Sequence, residues 1–518
     1  MKQSHNSDRT SPASPESWWI HSTKVHKFPS LEDDLKVEVA IIGGGITGIT
    51  TAFKLAKEGL QVALLEADSL FKGTTGHTTA KVTSQHGLIY NELIQHFGEN
   101  KARLYYQANQ NAKKQIEKWI KEYNIECEFQ KTDAYIYTNT ESYIGEIKKE
   151  AEAYRKLGIE GGLIDRLSID LPHKSAIVMK NQGHFHPLHY LVKMVEQLEN
   201  LGVQIYENSV ATQMEEGSPP TIRFKNGKRV EADYVVSASH FPFHDNRGYF
   251  SRLYPERSYV IAGKPLKPVT IGMYINAEQP TRSIRPVTID GEQMLLIGGD
   301  GHKAGQGGNE IDHYKALEKF ALEEFGIEKI DYRWSTQDLV TPDKLPYIGE
   351  LSAGSRVFVA TGYRKWGMTN SHVAAQLISD LIIEKDNPYK ELFAPARFKA
   401  NPSVKKFIKE NLNVASHLIT GKLEVPDKEL KDIKAGEGAA ISIKGKRAGA
   451  YKTEEGQLFI IDTTCTHMGC EVNWNSGDKT WDCPCHGSRF TYTGEVLEGP
   501  AERPLKLLDD DQIDYTTS

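Results

Sequence analysis

From Val37 to Ile42 the chain reads Val-Glu-Val-Ala-Ile-Ile, a short apolar run of the kind a buried strand needs. Gly43, Gly44 and Gly45 follow at once, with Gly48 three residues on, and a helical stretch then runs from Ile49 to Lys57. After Gly59 a second apolar run, Val62 to Leu65, ends at Glu66. The pattern predicts strand, tight turn, helix and second strand. Its glycines allow a pyrophosphate to approach the backbone at the positive end of the helix. Glu66 lies 18 residues past Gly48, where a carboxylate takes ribose hydroxyls and repels a 2′-phosphate. An incidental Gly-rich turn would not place all four elements in this order, so Gly43, Gly44, Gly45, Thr47, Gly48 and Glu66 are assigned to a dinucleotide cradle.

Two further glycine-rich stretches, Ile297 to Gly301 and Gly305 to Gly308, open no strand–helix–strand unit and read as turns. They argue against a second nucleotide site and a nicotinamide-fed reductase. Ser403 to Thr420 is patterned as a helix with Val404, Phe407, Ile408 and Leu412 on one side and Lys405, Lys406 and Lys409 elsewhere. It is read as a linker helix packed on the protein, with a membrane-surface helix as the alternative. Gly183-His184-Phe-His186-Pro-Leu-His189 invites a metal reading, but a turn opening a helix from Leu188 to Leu201 explains it without metal.

A chain of 518 residues has room for about three domains. Charge is balanced at a formal −6 with no basic block, which argues against a nucleic-acid partner. Residues Met1 to Glu16 are polar and Ser/Pro-rich, without a signal-peptide pattern, and no run is long enough to span a bilayer. Four of the five cysteines sit in one motif, leaving Cys127, a usage that fits a reducing, cytoplasmic setting.

That motif is Cys465-Thr-His467-Met-Gly-Cys470 followed by Cys483-Pro-Cys485-His486-Gly-Ser488. Two Cys-and-His pairs brought together can hold a [2Fe–2S] cluster, two histidines on one iron and two cysteines on the other. Two cysteines and two histidines would also satisfy zinc, which leaves the second cysteine pair and Gly469 and Gly487 unexplained. The motif closely resembles the Rieske family. That resemblance implies Cys465, His467, Cys483 and His486 as iron ligands and a disulfide between Cys470 and Cys485. It also implies a flanking loop at Gly499-Pro-Ala501. High-potential members carry a serine and a tyrosine that donate to cluster sulfurs. Here Ser488 is present, the tyrosine position is Phe490, and Tyr492 is a candidate substitute. Fewer such donors imply a potential in the middle of the family's range of about −150 to +300 mV.

Leu201 to Val210 and Ala232 to Ser239 look like the later strands of the FAD domain of the D-amino-acid oxidase and glycine oxidase family. Thr341-Pro-Asp-Lys-Leu-Pro-Tyr-Ile-Gly349 and Ala360-Thr-Gly-Tyr-Arg-Lys-Trp-Gly367-Met-Thr369 resemble its C-terminal signature. The resemblance spans roughly residues 30 to 400 and implies FAD contacts at Val210, Ser239, Gly362, Gly367, Met368 and Thr369. The loop Gly73 to Thr83 is implied to run along the flavin, with contacts at Thr74, Thr75, His77, Thr78 and Thr79. Related dehydrogenases attach flavin covalently to a histidine near this place, whereas His77 is read as a contact. Glycine oxidase-like members bind the substrate carboxylate with an arginine three residues before the Thr-Pro-Asp threonine. Here that position is Asp338, which favours a cation and shifts the expectation toward amines. Arg282, Arg285, Arg364 and Lys365 are the other candidate anchors.

The expected fold is therefore an α/β (α+β), Rossmann-like FAD-binding domain, an antiparallel-sheet substrate domain and a C-terminal all-β Rieske domain. Expected bounds are 1–30 for an N-terminal extension, 31–90, 176–240 and 336–390 for the FAD domain, and 91–175 and 241–335 for the substrate domain. A linker at 391–425 and the Rieske domain at 426–518 complete the chain. The expected function is oxidation of a small-molecule substrate, an amine or amino-acid-like compound, with electrons passing from FAD to the cluster. They would leave to an external electron acceptor, a quinone or redox protein. The alternatives are a non-catalytic carrier or redox sensor, or a reductase fed by another donor. A Rieske oxygenase would need a mononuclear iron site between 176 and 400, where the flavin motifs already lie.

Overall fold

The computed structural model describes residues 15–508 except 246, 398–410, 412, 415, 419–420 and 423–425. At its centre is a mostly parallel sheet. Leu35–Ile42 pairs in parallel with Val62–Leu65 on one side and Arg229–Ser237 on the other. Gln204–Tyr206 extends the first side, and Val357–Thr361 then antiparallel Tyr347–Glu350 extend the second. Near-continuous apolar strands such as Val62–Leu65, buried at every position, mark a sheet covered on both faces. Helices Ile46–Lys57 and Gly367–Ile382 pack against each other and put the strand-to-helix turns of both halves at one end of the sheet.

A second, nine-stranded sheet carries the substrate side. Its path runs Ile330–Val340, Tyr254–Gly263, Glu292–Lys303, Arg282–Ile289, Met273–Asn276, Gln130–Thr138, Ser175–His184 and Lys81–Val82. It is antiparallel except where Met273–Asn276 meets Gln130–Thr138. Two strands assigned by sequence to FAD-domain segments, Lys81–Val82 and Ser175–His184, hydrogen-bond in this sheet, so the loop along the flavin leads straight into the substrate wall. Ile297 to Gly301, expected as a turn, lies inside Glu292–Lys303. A Cβ at Gly299 would stand 1.8 Å from the Thr281 carbonyl, so glycine here marks close strand approach.

The N-terminal residues from 15 onward are no loose extension. Ser17 caps the short helix Trp18–Ser22, whose Trp18 and Trp19 are buried in the main core. The C-terminal domain has two small antiparallel sheets, Gly438–Ile443 with Lys446–Lys452 and Leu458–Ile461, and Asn473–Asn475 through Val496–Glu498. The apolar positions read from 403–420, Val404, Phe407, Ile408 and Leu412, lie outside the described residues. Among the described residues no helix is long and apolar enough to cross a membrane.

Candidate functional site

The turn after Leu35–Ile42 is tightly packed. A Cβ at Gly43 would stand 2.5 Å from the Ala238 carbonyl oxygen, and one at Gly48 would stand 1.9 Å from the Gly43 carbonyl oxygen. Helix Ile46–Lys57 begins without a side-chain cap at Gly45, which leaves its positive end available to an anion. Glu66 accepts from Gly44 N–H at 2.6 Å and from Asp68 N–H at 2.9 Å, fixing the carboxylate beside the turn. A cavity of about 1500 Å³ opens over this cradle. That exceeds the usual volume of a small-molecule pocket and leaves room for a dinucleotide and a substrate together.

Of the sequence-assigned contacts, Gly43, Gly45, Thr47, Glu66, Thr74, Thr75, His77, Thr78, Thr79, Val210, Ser239, Gly362, Gly367 and Met368 line the cavity. Gly44, Gly48 and Thr369 do not. Gly44 is bonded to Glu66, Gly48 packs on Gly43, and the Thr369 hydroxyl donates to the Thr83 carbonyl at 3.1 Å. The flavin-side loop is held from behind: Ser17 Oγ donates to the Gly76 carbonyl and Trp19 Nε1 to the Thr78 carbonyl at 2.7 Å. Trp334 Nε1 donates to the His77 carbonyl at 2.9 Å, while His77 Nδ1 pairs with the Gly73 carbonyl.

On the substrate wall, Asp338 and Glu256 face each other in antiparallel register. Asp338 Oδ1 accepts from the Lys365 N–H at 3.0 Å, and Lys365 Nζ lies 3.3 Å from Glu256. Burial pushes the Asp338 carboxyl up, against the pull of Lys365. Arg282 and Arg285 do not reach the cavity, because each is spent elsewhere. Arg282 pairs with Asp300 at 2.9 Å, and Arg285 donates to the carbonyls of Thr79 and Pro286 and to His184. Arg364 and Lys365 do line it. Lys81, not singled out from sequence, also lines the cavity, with its amine on Ser283 Oγ and no carboxylate bonded to it among the described residues. Burial first, then Arg285, brings it down to about 7. Among the three clustered histidines, His186 serves as N-cap of helix Pro187–Asn200, accepting from His189 N–H at 3.2 Å.

The two cysteine loops share one geometry. Cys465 N–H donates to the Cys470 carbonyl and Cys483 N–H to the Ser488 carbonyl, both at 2.8 Å. Gly469 and Gly487 N–H groups return to the carbonyls of Cys465 and Cys483, and both glycines have positive φ, 76° and 79°. The His467 and His486 rings stand 5.0 Å apart and perpendicular, each with a buried Nδ1 that lacks a hydrogen-bond partner. Burial lowers both histidines, His486 to about 4, so the imidazoles are in the neutral, ligating form. The Cys465 and Cys483 thiols share a hydrogen bond that lowers Cys465 to about 7 and raises Cys483. Two thiols and two unpartnered imidazole nitrogens make a donor set that fits a two-iron cluster.

Cys470, Cys483 and Cys485 also have sulfurs within 4.8 Å of one another, but Cys470 and Cys485 are joined, with S–S 2.00 Å, leaving Cys483 as the free thiol of the three. Ser488 hydrogen-bonds Cys465, and its oxygen accepts from Ala501 N–H at 3.0 Å, tying in the third loop. Phe490 is fully buried beside the cluster loops. Tyr492 faces the other small sheet, with its ring 5.0 Å from Tyr451 and 5.2 Å from Phe459, and does not substitute for the missing tyrosine.

The cluster loops face the oxidoreductase domain. Phe250 presents its ring to His467 and His486 at 5.7 and 5.4 Å. The fully buried Arg257 reaches Asp478 at 3.0 Å and Asp482 at 3.6 Å, and Arg489 binds the same two aspartates and Glu498. Residues of the cluster domain from Arg489 to Pro504 form part of the wall of the flavin-side cavity.

A family model described as FAD dependent oxidoreductase matches residues 38–381, and one described as Rieske [2Fe-2S] domain matches residues 424–509. YhfW of Bacillus subtilis (strain 168), named for a Rieske 2Fe-2S iron–sulfur protein, is 51% identical over 497 residues, 96% of this chain and 98% of YhfW. Gamma-glutamylputrescine oxidoreductase of Escherichia coli (strain K12) is 24% identical over 386 residues, 70% of this chain and 87% of its own. The structure of glycine oxidase from Geobacillus kaustophilus shares the fold with a TM-score of 0.59 at 18% identity, covering 71% of this chain and 100% of that one. These matches set zinc aside and make FAD and a Rieske [2Fe–2S] cluster the cofactors. The chain belongs to the family of FAD-dependent oxidoreductases, with a Rieske [2Fe–2S] domain following in the same polypeptide.

Proposed function

We propose that this oxidoreductase is a dehydrogenase for a small amine or amino-acid-like substrate, passing electrons through its own cluster to an external acceptor, a quinone or a redox protein. One observation carries the reading: a single cavity is walled by flavin-loop residues on one side and by residues of the cluster domain on the other. When bound, FAD supplies two-electron oxidation of a C–H beside nitrogen, and the cluster takes electrons singly. Cys465, His467, Cys483 and His486 hold the cluster, the Cys470–Cys485 pair braces its loops, and His77 contacts the flavin without a bond to it.

The amine preference rests on the substrate wall. Asp338 accepts from the Lys365 backbone N–H and Glu256 pairs with the Lys365 amine, so two carboxyl groups face each other in register on this wall as acceptors for an ammonium. Lys81, poised near neutrality, takes the proton from the bound ammonium at Nζ, freeing the nitrogen lone pair. The relative named gamma-glutamylputrescine oxidoreductase is consistent with an amine. The test is low-temperature EPR after anaerobic mixing with a panel of amines, amino acids and hydroxy acids. A reduced-Rieske signal with an amine, lost when FAD is removed, is expected. A signal raised by dithionite and by no compound in the panel would instead favour a carrier or a reductase fed by another donor.

A further inference from the structure

Between the flavin-side loop and the cluster loop lies one buried residue that touches both, the first through its backbone carbonyl and the second through its side chain. Gln337 sits on strand Ile330–Val340, is 2% exposed and lines the cavity. Its carbonyl accepts from Thr74 Oγ1 at 3.1 Å, on the loop that runs along the flavin. Its Nε2 donates to the Gly487 carbonyl at 2.8 Å, and Gly487 directly follows His486. A Cβ at Gly487 would stand 2.9 Å from that Nε2 and 2.6 Å from Pro255, so the loop approaches as closely as glycine permits. Arg257, fixed by Asp478, points its guanidinium at Gln337 Oε1, which orients the amide.

We propose that Gln337 is the positioning residue that couples the flavin site to the histidine side of the cluster. The inference rests on the flavin-to-cluster path proposed above and names the chain's own bridge along it: Thr74, Gln337, Gly487, His486. The step it serves moves one electron, with reduced flavin losing it and the cluster iron gaining it. In the test the one-electron-reduced flavin returns to oxidised FAD and releases its proton to solvent, while one cluster iron goes from ferric to ferrous. Docking of the cluster domain does not depend on this amide, since Arg257 with Asp478 and Asp482, Phe250 on the histidine rings, and Gln306 Nε2 on the Pro484 carbonyl at 2.8 Å hold it independently.

The experiment uses the holoprotein. A light pulse on deazaflavin, with EDTA as the sacrificial donor, delivers one electron to the bound flavin, and appearance of the reduced cluster is followed by absorbance and freeze-quench EPR. Gln337→Leu and Gln337→Met keep the bulk, add no charge and remove the side-chain bonds to Gly487 and Arg257, while the backbone bond to Thr74 stays. Both should slow transfer about ten- to a hundred-fold, since a misplacement of about 1 Å can cost about 10²-fold. Cluster g-values and both midpoint potentials should stay at wild-type values. Transfer at the wild-type rate in both variants overturns the proposal, and so does slowing accompanied by shifted g-values or potentials, which would mark a general structural effect. Absence of transfer in the wild type would overturn the electron path itself, a separate and distinguishable failure.

Discussion

The two cofactor sites of this chain are built in opposite ways. The cluster site comes from two loops within Cys465–Ser488, each closed by the same pair of backbone hydrogen bonds. The flavin site gathers residues from Gly43 to Met368, contributed by both large sheets and by the N-terminal helix. A local site survives as long as its loops do, whereas a dispersed site depends on the packing of everything that supports it. The junction between them is dispersed as well, since it joins Arg257 and Gln337 to residues more than a hundred positions away.

Removing a ligand should produce the largest effect. Cys483→Ser is expected to abolish the reduced-Rieske EPR signal while the flavin absorbance at the other site persists, separating the two sites cleanly. Arg257→Leu comes next. It leaves Asp478 and Asp482 buried beside Arg489 alone, and truncating one partner of a buried ion pair costs about 3–5 kcal/mol. The cluster signal should remain, with a lowered melting transition in calorimetry and slowed flavin-to-cluster transfer. Trp19→Ala tests dispersion directly. It removes a buried ring and the hydrogen bond to Thr78, so stability should fall by about 3 kcal/mol and FAD content should fall with it, as read by absorbance ratio.

Smaller effects follow from charge. Burial works to raise Asp482, but Arg489 and Arg257 overcome it and hold the carboxyl below its ordinary 3.8. Its stabilising contribution is complete above pH 3.8 and is lost as pH falls through the lower folded value. Glu310, at the same junction, has the opposite sign: burial, reinforced by Asp482 and Asp478, raises it to about 7. The folded state keeps this proton after the unfolded chain has released it, so stability declines from pH 4.5 to about 7. Glu310→Gln should flatten that decline in a series of melting temperatures. At the flavin site, the rate of flavin reduction by an amine should rise through pH 7 as Lys81 loses its proton. Lys81→Met should remove that limb from the stopped-flow pH profile.

The local site was far more legible in the sequence than the dispersed one. Ligand-bearing loops repeat a short pattern whose spacing is itself the geometry, and the glycines at 469 and 487 mark where positive φ is needed. The first strand–turn–helix was equally plain because its residues are contiguous. What escaped was long-range. Lys81 stands within the flavin-side loop, but only the folded chain reveals that its amine is on Ser283 Oγ with no carboxylate bonded to it among the described residues. Arg282 and Arg285 looked like anchors until their partners, Asp300 and Thr79, were placed beside them. Trp18-Trp19 is the local signal for a docked segment, an aromatic pair within polar sequence that the structure buries in the main core. Ile297 to Gly301 misled because glycines that permit close strand approach look, in one dimension, like glycines that make turns.

The order of strands in the central sheet also sets a timetable for biosynthesis. Arg229–Ser237 lies between Leu35–Ile42 and Val357–Thr361, so the sheet cannot close until residue 361 has left the ribosome. At about 5–20 residues per second, the strand before the glycine turn waits roughly 10–40 s for its last neighbour, Arg229–Ser237. The cluster loops emerge only afterwards, onto a partner surface that is already formed. Phe250, Pro255 and Arg257 precede the cluster-domain residues they touch by more than two hundred positions, so the cluster loops emerge after their partner residues.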